Sequence, residues 1–263
     1  MNIDLSVIMP SIRPEMLVQA YRSFIQAWEY SFEMIVISPY SLPPELQNKK
    51  EVKYIQDWGN PNRAKQIGLV NSEGRYVTWG VDDGVYLKDS LTKIYHKFGF
   101  NDILTLKYTE GVSFDDLETS DSIMKKDDYY YLSYHHHNLQ GIPKDTKVLS
   151  FGVMPTTILK QVGGWDCEEF EGQAMADCDL AIRLNKLGHK ITIAPDVVLV
   201  LKHVPGIEGD HAPIHNSQKE ADEPKFYQMY SDNSRSLRTN IPIDNWERSP
   251  AKWTRRFNSE PLD

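Results

Sequence analysis

Asp82 and Asp83 are adjacent carboxylates that follow the apolar run Tyr-Val-Thr-Trp-Gly-Val at 76–81 and precede Gly84. Two like charges side by side repel, and burying them is costly unless a cation lies between or beside them. A hard divalent ion, manganese or magnesium, resolves that cost: it takes oxygen from one or two carboxylates and completes its octahedron with diphosphate oxygens. Asp-Asp-Gly is equally the composition of a turn leaving a strand. A second charged group lies at 177–183. Asp177 is placed near the start of a helical segment, where the macrodipole favours an ionised carboxylate and where an N-cap role is also open. Asp179 and Arg183 have the spacing of an i,i+4 surface pair. Arg63 and Lys65 open a further helix, where they either meet a nucleotide phosphate or base or form a solvated face. His135-His136-His137 resemble a metal tract in composition, but alternation along an extended chain turns neighbours to opposite sides.

The elements that must position these residues alternate. Strand-like runs at Ile3–Met9, Glu33–Ser38, Val52–Ile55 and Tyr76–Val81 are separated by a helix opened by Pro14 and another capped by Asn60 with Pro61 at its first position. That order predicts an α/β fold: a Rossmann-like single domain with a central, mainly parallel mixed sheet flanked by helices. In such sheets ligands sit outside the carboxyl ends of the strands, where Asp82 and Asp83 fall. Beyond Gly84 the strand-like pieces Ile103–Tyr108, Tyr129–Tyr134 and Val148–Met154 predict a mixed portion. They are followed by a helix over Ala174–Leu187 and a strand over Val197–Lys202. From about Gly206 the chain turns polar and reads as an irregular and helical C-terminal tail.

The 29 basic and 37 acidic residues give a net charge of −8, which argues against a protein that grips nucleic acid by neutralising phosphates. Two cysteines, Cys167 and Cys178, leave room for one disulfide at most, and a reducing compartment is the simplest reading. No run approaches the ~20 apolar residues a membrane-spanning helix needs. A cytoplasmic location is therefore expected.

The order Leu5-Ser-Val-Ile-Met-Pro10, Asn62-Arg-Ala-Lys65-Gln-Ile-Gly68-Leu69 and Glu73-Gly-Arg-Tyr-Val77 leading to Asp82-Asp83 resembles the nucleotide-binding half of family 2 glycosyltransferases, which have the GT-A fold. Gly163-Gly-Trp165-Asp166, Phe170-Glu-Gly172 and Ala176-Asp177-Cys-Asp179-Leu180 with Arg183-Leu184 resemble the Gly-Gly-Trp-Asp and Glu-Asp-x-Asp-Leu signatures of the galactosyltransferase-type members. The resemblance implies residues 1–205 as the transferase domain, with 1–85 as its nucleotide-binding half and 86–205 as its acceptor half, and 206–263 as a lid and wrapping extension.

It also implies inverting transfer of a hexose or N-acetylhexosamine from a nucleotide-diphosphate sugar, UDP favoured, to a hydroxyl of a saccharide or glycoconjugate. Asp177 would be the general base. Asp82 and Asp83 would hold manganese or magnesium, with His203 as a third ligand and His211 as second choice. Pro10, Tyr40, Asp57, Arg63 and Lys65 would meet the nucleotide: Tyr40 by stacking on the base, Asp57 by accepting its imino hydrogen. Trp165, Asp166 and Asp179 would face the acceptor, Trp165 as a sugar-stacking ring or as a core anchor. The chain departs from the pattern at Ala176, where the family has Glu, and after Ser38, where an acidic residue is missing. A sugar nucleotidyltransferase would need a Gly-rich basic loop after the first strand, and Pro10-Ser-Ile-Arg13-Pro14 has no Gly. A non-catalytic saccharide-binding module is the other alternative, and Ala176 keeps it open.

Overall fold

A computed structural model describes residues 3–110, 148–201 and 218–239. The expected ligand His203, its alternative His211, the histidines at 135–137 and the run Tyr129–Tyr134 lie outside the described residues. Eight strands form one sheet in the order β3-β2-β1-β4-β7-β6-β8-β5. The first four are β1 (Leu5–Pro10), β2 (Phe32–Ser38), β3 (Val52–Gln56) and β4 (Tyr76–Trp79), all parallel. The apolar, β-branched runs fit this arrangement, because both faces of β1 and β4 are covered.

The helices between these strands start where the sequence places them. Pro14 is the first residue of α1 (Pro14–Ala27), which buries Leu17, Tyr21 and Phe24 on one face. Asn60 caps α3 (Pro61–Val70) by accepting from the Arg63 amide at 2.8 Å. A short α2 (Pro44–Gln47) lies between β2 and β3. β4 ends at Trp79, two residues short of the expected strand end. The chain then crosses to the opposite edge of the sheet as β5 (Gly84–Tyr86), antiparallel to β8 (Ile191–Leu201).

The second half is mixed, as expected. β7 (Gly152–Pro155) runs antiparallel to both β4 and β6 (Ile103–Glu110), and β6 is parallel to β8. Two helices there had no counterpart in the sequence reading, α4 (Ser90–Phe98) and α5 (Thr156–Val162). α6 (Gln173–Lys186) begins one residue earlier than expected and is buried continuously from Met175 to Leu184, so no solvated face exists there. It is covered by a C-terminal segment in which a π-helical turn (Gln218–Asp222) leads into α7 (Glu223–Ser231). Both cysteines are free and buried, so the disulfide left open by their number does not form. No helix among the described residues is long and apolar enough to cross a membrane.

Candidate active site

β1 and β4 are parallel neighbours, so the segments leaving their carboxyl ends meet. The loop Ser11–Arg13 after β1 therefore closes on Asp82, a residue buried to 5% exposure, as Asp83 is to 3%. Asp82 Oδ2 accepts from the Ser11 hydroxyl at 2.9 Å and from the backbone N–H groups of Ile12 at 3.3 Å and Arg13 at 3.1 Å. Its Oδ1 accepts from Arg13 Nε at 3.1 Å and from Arg13 Nη2. The same Nη2 stands 3.1 Å from Asp83 Oδ2. The cation that the acidic pair demands is thus supplied by the chain as the Arg13 guanidinium.

Both Asp82 oxygens are engaged by donors of the β1–α1 loop, and Arg13 also reaches Asp83 Oδ2, so a hard cation at this acidic pair must compete with the guanidinium. Among the described residues no three His, Cys, Asp or Glu side chains form a ready metal cluster. Arg13 was missed as a site residue. Its signal was its place at the end of a strand, directly before the Pro14 that opens a helix.

The loop after β3 holds a second pair. Asp57 accepts from Arg63 Nε at 3.1 and 2.9 Å, from Arg63 Nη2 at 2.8 Å and from the Gly59 amide at 2.8 Å. Both carboxylate oxygens are engaged by the fork of one arginine, a bidentate geometry that orders the loop. That arrangement competes with the expected acceptance of a base imino hydrogen. Arg63 itself is buried rather than on a solvated face. Tyr40, beyond the end of β2, is half-buried, and its amide donates to Ser38 Oγ at 3.1 Å. Pro10 ends β1 opposite Ile37.

Lys65 points from α3 into the other half of the domain. Its Nζ lies 2.7 Å from Asp177 Oδ1 and 5.2 Å from the centre of the Trp165 ring, and Trp165 Nε1 donates to the same oxygen at 3.0 Å. Asp177 is the fifth residue of α6, so it does not cap the helix. Burial pushes its carboxyl up to about 6 despite the opposing pull of the Lys65 charge and of donors on Lys65, Trp165 and Gln173. The expected stabilisation of the ionised form by the helix dipole is therefore outweighed by desolvation.

Trp165 takes the core-anchor place: it is fully buried and meets Trp79 edge-on at 4.8 Å, which joins Asp177 to the strand that leads to Asp82. The turn that presents it is built from two glycines in the left-handed region, Gly163 (φ 89) and Gly164 (φ 70). Gln66 of α3 holds this turn, donating to Gly163 O at 2.8 Å and accepting from the Trp165 amide at 2.9 Å. A Cβ on Gly164 would lie 2.0 Å from Gln66 Oε1. The spacing of Gly-Gly-Trp therefore serves a close contact between the two halves of the domain.

Asp166 and Asp179 meet a residue of the C-terminal segment. Arg235 Nη1 lies 2.7 Å from Asp166 Oδ2, while its Nε and Nη2 donate to the two oxygens of Asp179 at 2.6 and 2.7 Å. Asp179 also accepts from Arg183 Nε at 2.7 Å and from the Tyr230 hydroxyl at 2.8 Å. Burial raises the Asp179 carboxyl, but the Arg183 and Arg235 charges prevail and hold it below its ordinary value. The Asp179–Arg183 pair has the i,i+4 spacing, yet both side chains are fully buried, so it is no surface pair. Both aspartates are tied into packing through the shared guanidinium of Arg235.

No family model matches the chain, and no curated protein matches it. Solved structures do. S. aureus TarS 1-349 in complex with UDP superposes with a TM-score of 0.52 at 17% identity, over 88% of this chain and 70% of that one. The same TarS fragment in complex with UDP-GlcNAc gives 0.50 at 16% identity, over 97% of this chain and 79% of that one. Against a longer S. aureus TarS structure, this chain spans 42% of the length. At such identity the shared property is the fold, a GT-A-like arrangement of a mixed sheet between helices.

Proposed function

We propose that the chain is an inverting glycosyltransferase that moves a hexose or N-acetylhexosamine from a UDP-sugar to a hydroxyl of a saccharide or glycoconjugate. The observation that carries this reading is Asp177. It is a carboxylate held between Lys65 of the donor half and the Gly-Gly-Trp turn, with its carboxyl raised to about 6. The GT-A-like fold supports the reading, and so do the ligands, UDP and UDP-GlcNAc, with which TarS was crystallised. A base raised to that value is ionised at neutral pH yet close enough to it to take a proton effectively.

Asp177 takes the proton of the acceptor hydroxyl as that oxygen forms its bond to the anomeric carbon. The bond from that carbon to the diphosphate oxygen breaks on the opposite side, so the configuration inverts and UDP leaves. Lys65 and Trp165 hold the carboxylate in place for this transfer. Pro10, Tyr40 and the Asp57–Arg63 pair line the nucleoside end, at the carboxyl ends of β1, β2 and β3. A divalent ion, manganese or magnesium, would act as a Lewis acid on the leaving diphosphate. Asp83 would hold it, with Asp82 beside it and His203 or His211 as a further ligand.

The test is transfer from UDP-GlcNAc, read as UDP release with and without added saccharide acceptors. Asp177→Asn should abolish UDP release while UDP affinity by calorimetry stays within about twofold. Turnover near the wild-type rate in this variant would refute the role of Asp177. A thermal-shift screen of UDP-, GDP- and dTDP-sugars that moved the melting point with none of them would count against any nucleotide-sugar function.

A further inference from the structure

We propose that Asn62 is a positioning residue for the general base: by holding the backbone at the start of α6 it sets where Asp177 stands, a role that rests on the transferase reading above. Asn62 is fully buried on α3, and its Nδ2 donates to Phe170 O and to Gly172 O, both at 2.9 Å. With both amide hydrogens committed, Oδ1 is left buried without a hydrogen-bond partner. An apolar side chain of similar shape would avoid that orphan acceptor, so the two donors are what the carboxamide contributes.

Gly172 is the N-cap residue of α6 and, as a glycine, brings no side chain to cap the helix. Its carbonyl opens the helical hydrogen-bond ladder, and this is the oxygen that Asn62 grips. From the other side, Asp222 accepts from the Gly172 and Glu171 amides at 2.5 and 3.0 Å. Asp177 lies about one turn further on, and Gln173, the first residue of α6, hydrogen-bonds to it. A shift of the turn at 170–172 therefore carries the base and one of its donors with it.

α3 is a firm reference for this hold, because it is pressed onto β1: a Cβ on Gly68 would lie 2.4 Å from Ile8 Cγ2. Asn62, Lys65 and Gln66 have the i,i+3,i+4 spacing that shares one face of a helix. Lys65 meets Asp177 itself, Gln66 holds the turn that presents Trp165, and Asn62 holds the start of the helix that carries Asp177. One helix thus fixes the base, its Trp165 donor and its backbone relative to β1. The closure also keeps Asp177 dry, and burial is the largest cause of its raised carboxyl. A freed turn admits water, and the carboxyl then relaxes towards its ordinary value.

The experiment compares wild type, Asn62→Ala and Asn62→Ser, the last keeping one donor. It reads kcat with UDP-GlcNAc, UDP affinity by calorimetry, and the titration of Asp177 by NMR of protein carrying 13C at its aspartate carboxyls, the resonance identified by its loss in Asp177→Asn. Asn62→Ala should lower kcat by about 100-fold, the scale of a 1 Å misplacement, and leave UDP affinity within about twofold. The Asp177 midpoint should fall from about 6 to below about 5, towards the ordinary aspartate value of about 3.9. Asn62→Ser should lie between, about tenfold down in kcat. A merely structural role lowers the melting point and leaves kcat and the Asp177 midpoint at wild type in the folded variant. That result overturns the proposal and leaves Asp222 to hold the turn. If Asn62→Ala does not fold, Asn62→Ser decides by the same readings, and failure of both to fold shows a structural residue alone and overturns it too. Wild type inactive with every UDP-sugar overturns the transferase reading, while an Asp177 midpoint unmoved by either substitution overturns the part given to Asn62.

Discussion

Lowering the pH from 7 to 5 should titrate Asp177 out of its working form. With its carboxyl at about 6, the ionised fraction falls from roughly nine-tenths to roughly one-eleventh across that interval, so kcat/KM for UDP-sugar should drop about tenfold. A carboxyl at its ordinary value would lose less than about a tenth of its ionised form over the same range. The Lys65 ammonium, 2.7 Å from Asp177 Oδ1, opposes the rise caused by burial. Lys65→Met should therefore shift the acid limb above 6, while Lys65→Arg should leave it near wild type.

The assay is initial-rate UDP release between pH 5 and 8 at constant ionic strength, with folding checked at each end by circular dichroism. Stability has the matching sign. Because the folded carboxyl is raised above its unfolded value, holding Asp177 ionised costs on the order of 3 kcal/mol above pH 6, a cost removed as pH falls through 6 towards 3.8. A rate profile flat down to pH 5 would refute the assignment of the base. An unmoved limb in Lys65→Met would refute the part given to the lysine.

Arg235→Ala leaves Asp166 and Asp179 short of one shared cation while Arg183 and Tyr230 still serve Asp179. A loss of about 3 kcal/mol is expected, seen as a fall in Tm of roughly 6–12 °C, with UDP affinity unchanged. A fall under 2 °C, roughly the yield of an exposed pair, would show that the contact contributes little. Gly163→Ala places a Cβ 1.8 Å from Thr239 O at φ 89, whereas Gly188→Ala at φ 90 meets nothing within 4 Å. The second should cost about 1 kcal/mol from backbone strain alone, and the first clearly more, with faster proteolysis of the C-terminal segment. Equal denaturant midpoints for the two variants would contradict the contact.

The parallel half of the sheet was readable because its strands are apolar runs and its helices open on Pro14 and on Asn60-Pro61, local signals that tertiary packing did not override. β5, α4 and α5 were not readable in the same way: three strand residues at Gly84–Tyr86 and helices of nine and seven residues carry too little periodicity. At the site, residue types were legible and partners were not. Asp82 and Arg13 meet because β1 and β4 are neighbours, a fact of sheet order that lies outside the linear pattern. Asp57 and Arg63 are six residues apart, and only the turn at Gly59 folds one back on the other. Asp179 and Arg183 looked like a surface pair because their helix was read without the segment that covers it. Arg235 was hidden in a polar tail whose composition suggests solvent.

The covering of α6 by residues 218–239 has a consequence for how the protein is made. Asp179 precedes Arg235 by 56 residues, and at ~5–20 residues per second a ribosome takes several seconds to supply them. During that interval β1 to β4 already exist as a contiguous stretch of chain, while the helix bearing Asp177 has only part of its counter-charge. The last-made part of the described chain therefore supplies the cation that joins Asp166 to Asp179. A nascent or clipped chain ending before residue 235 should keep the parallel half of its sheet and leave Asp166 and Asp179 without the cation that ties them together.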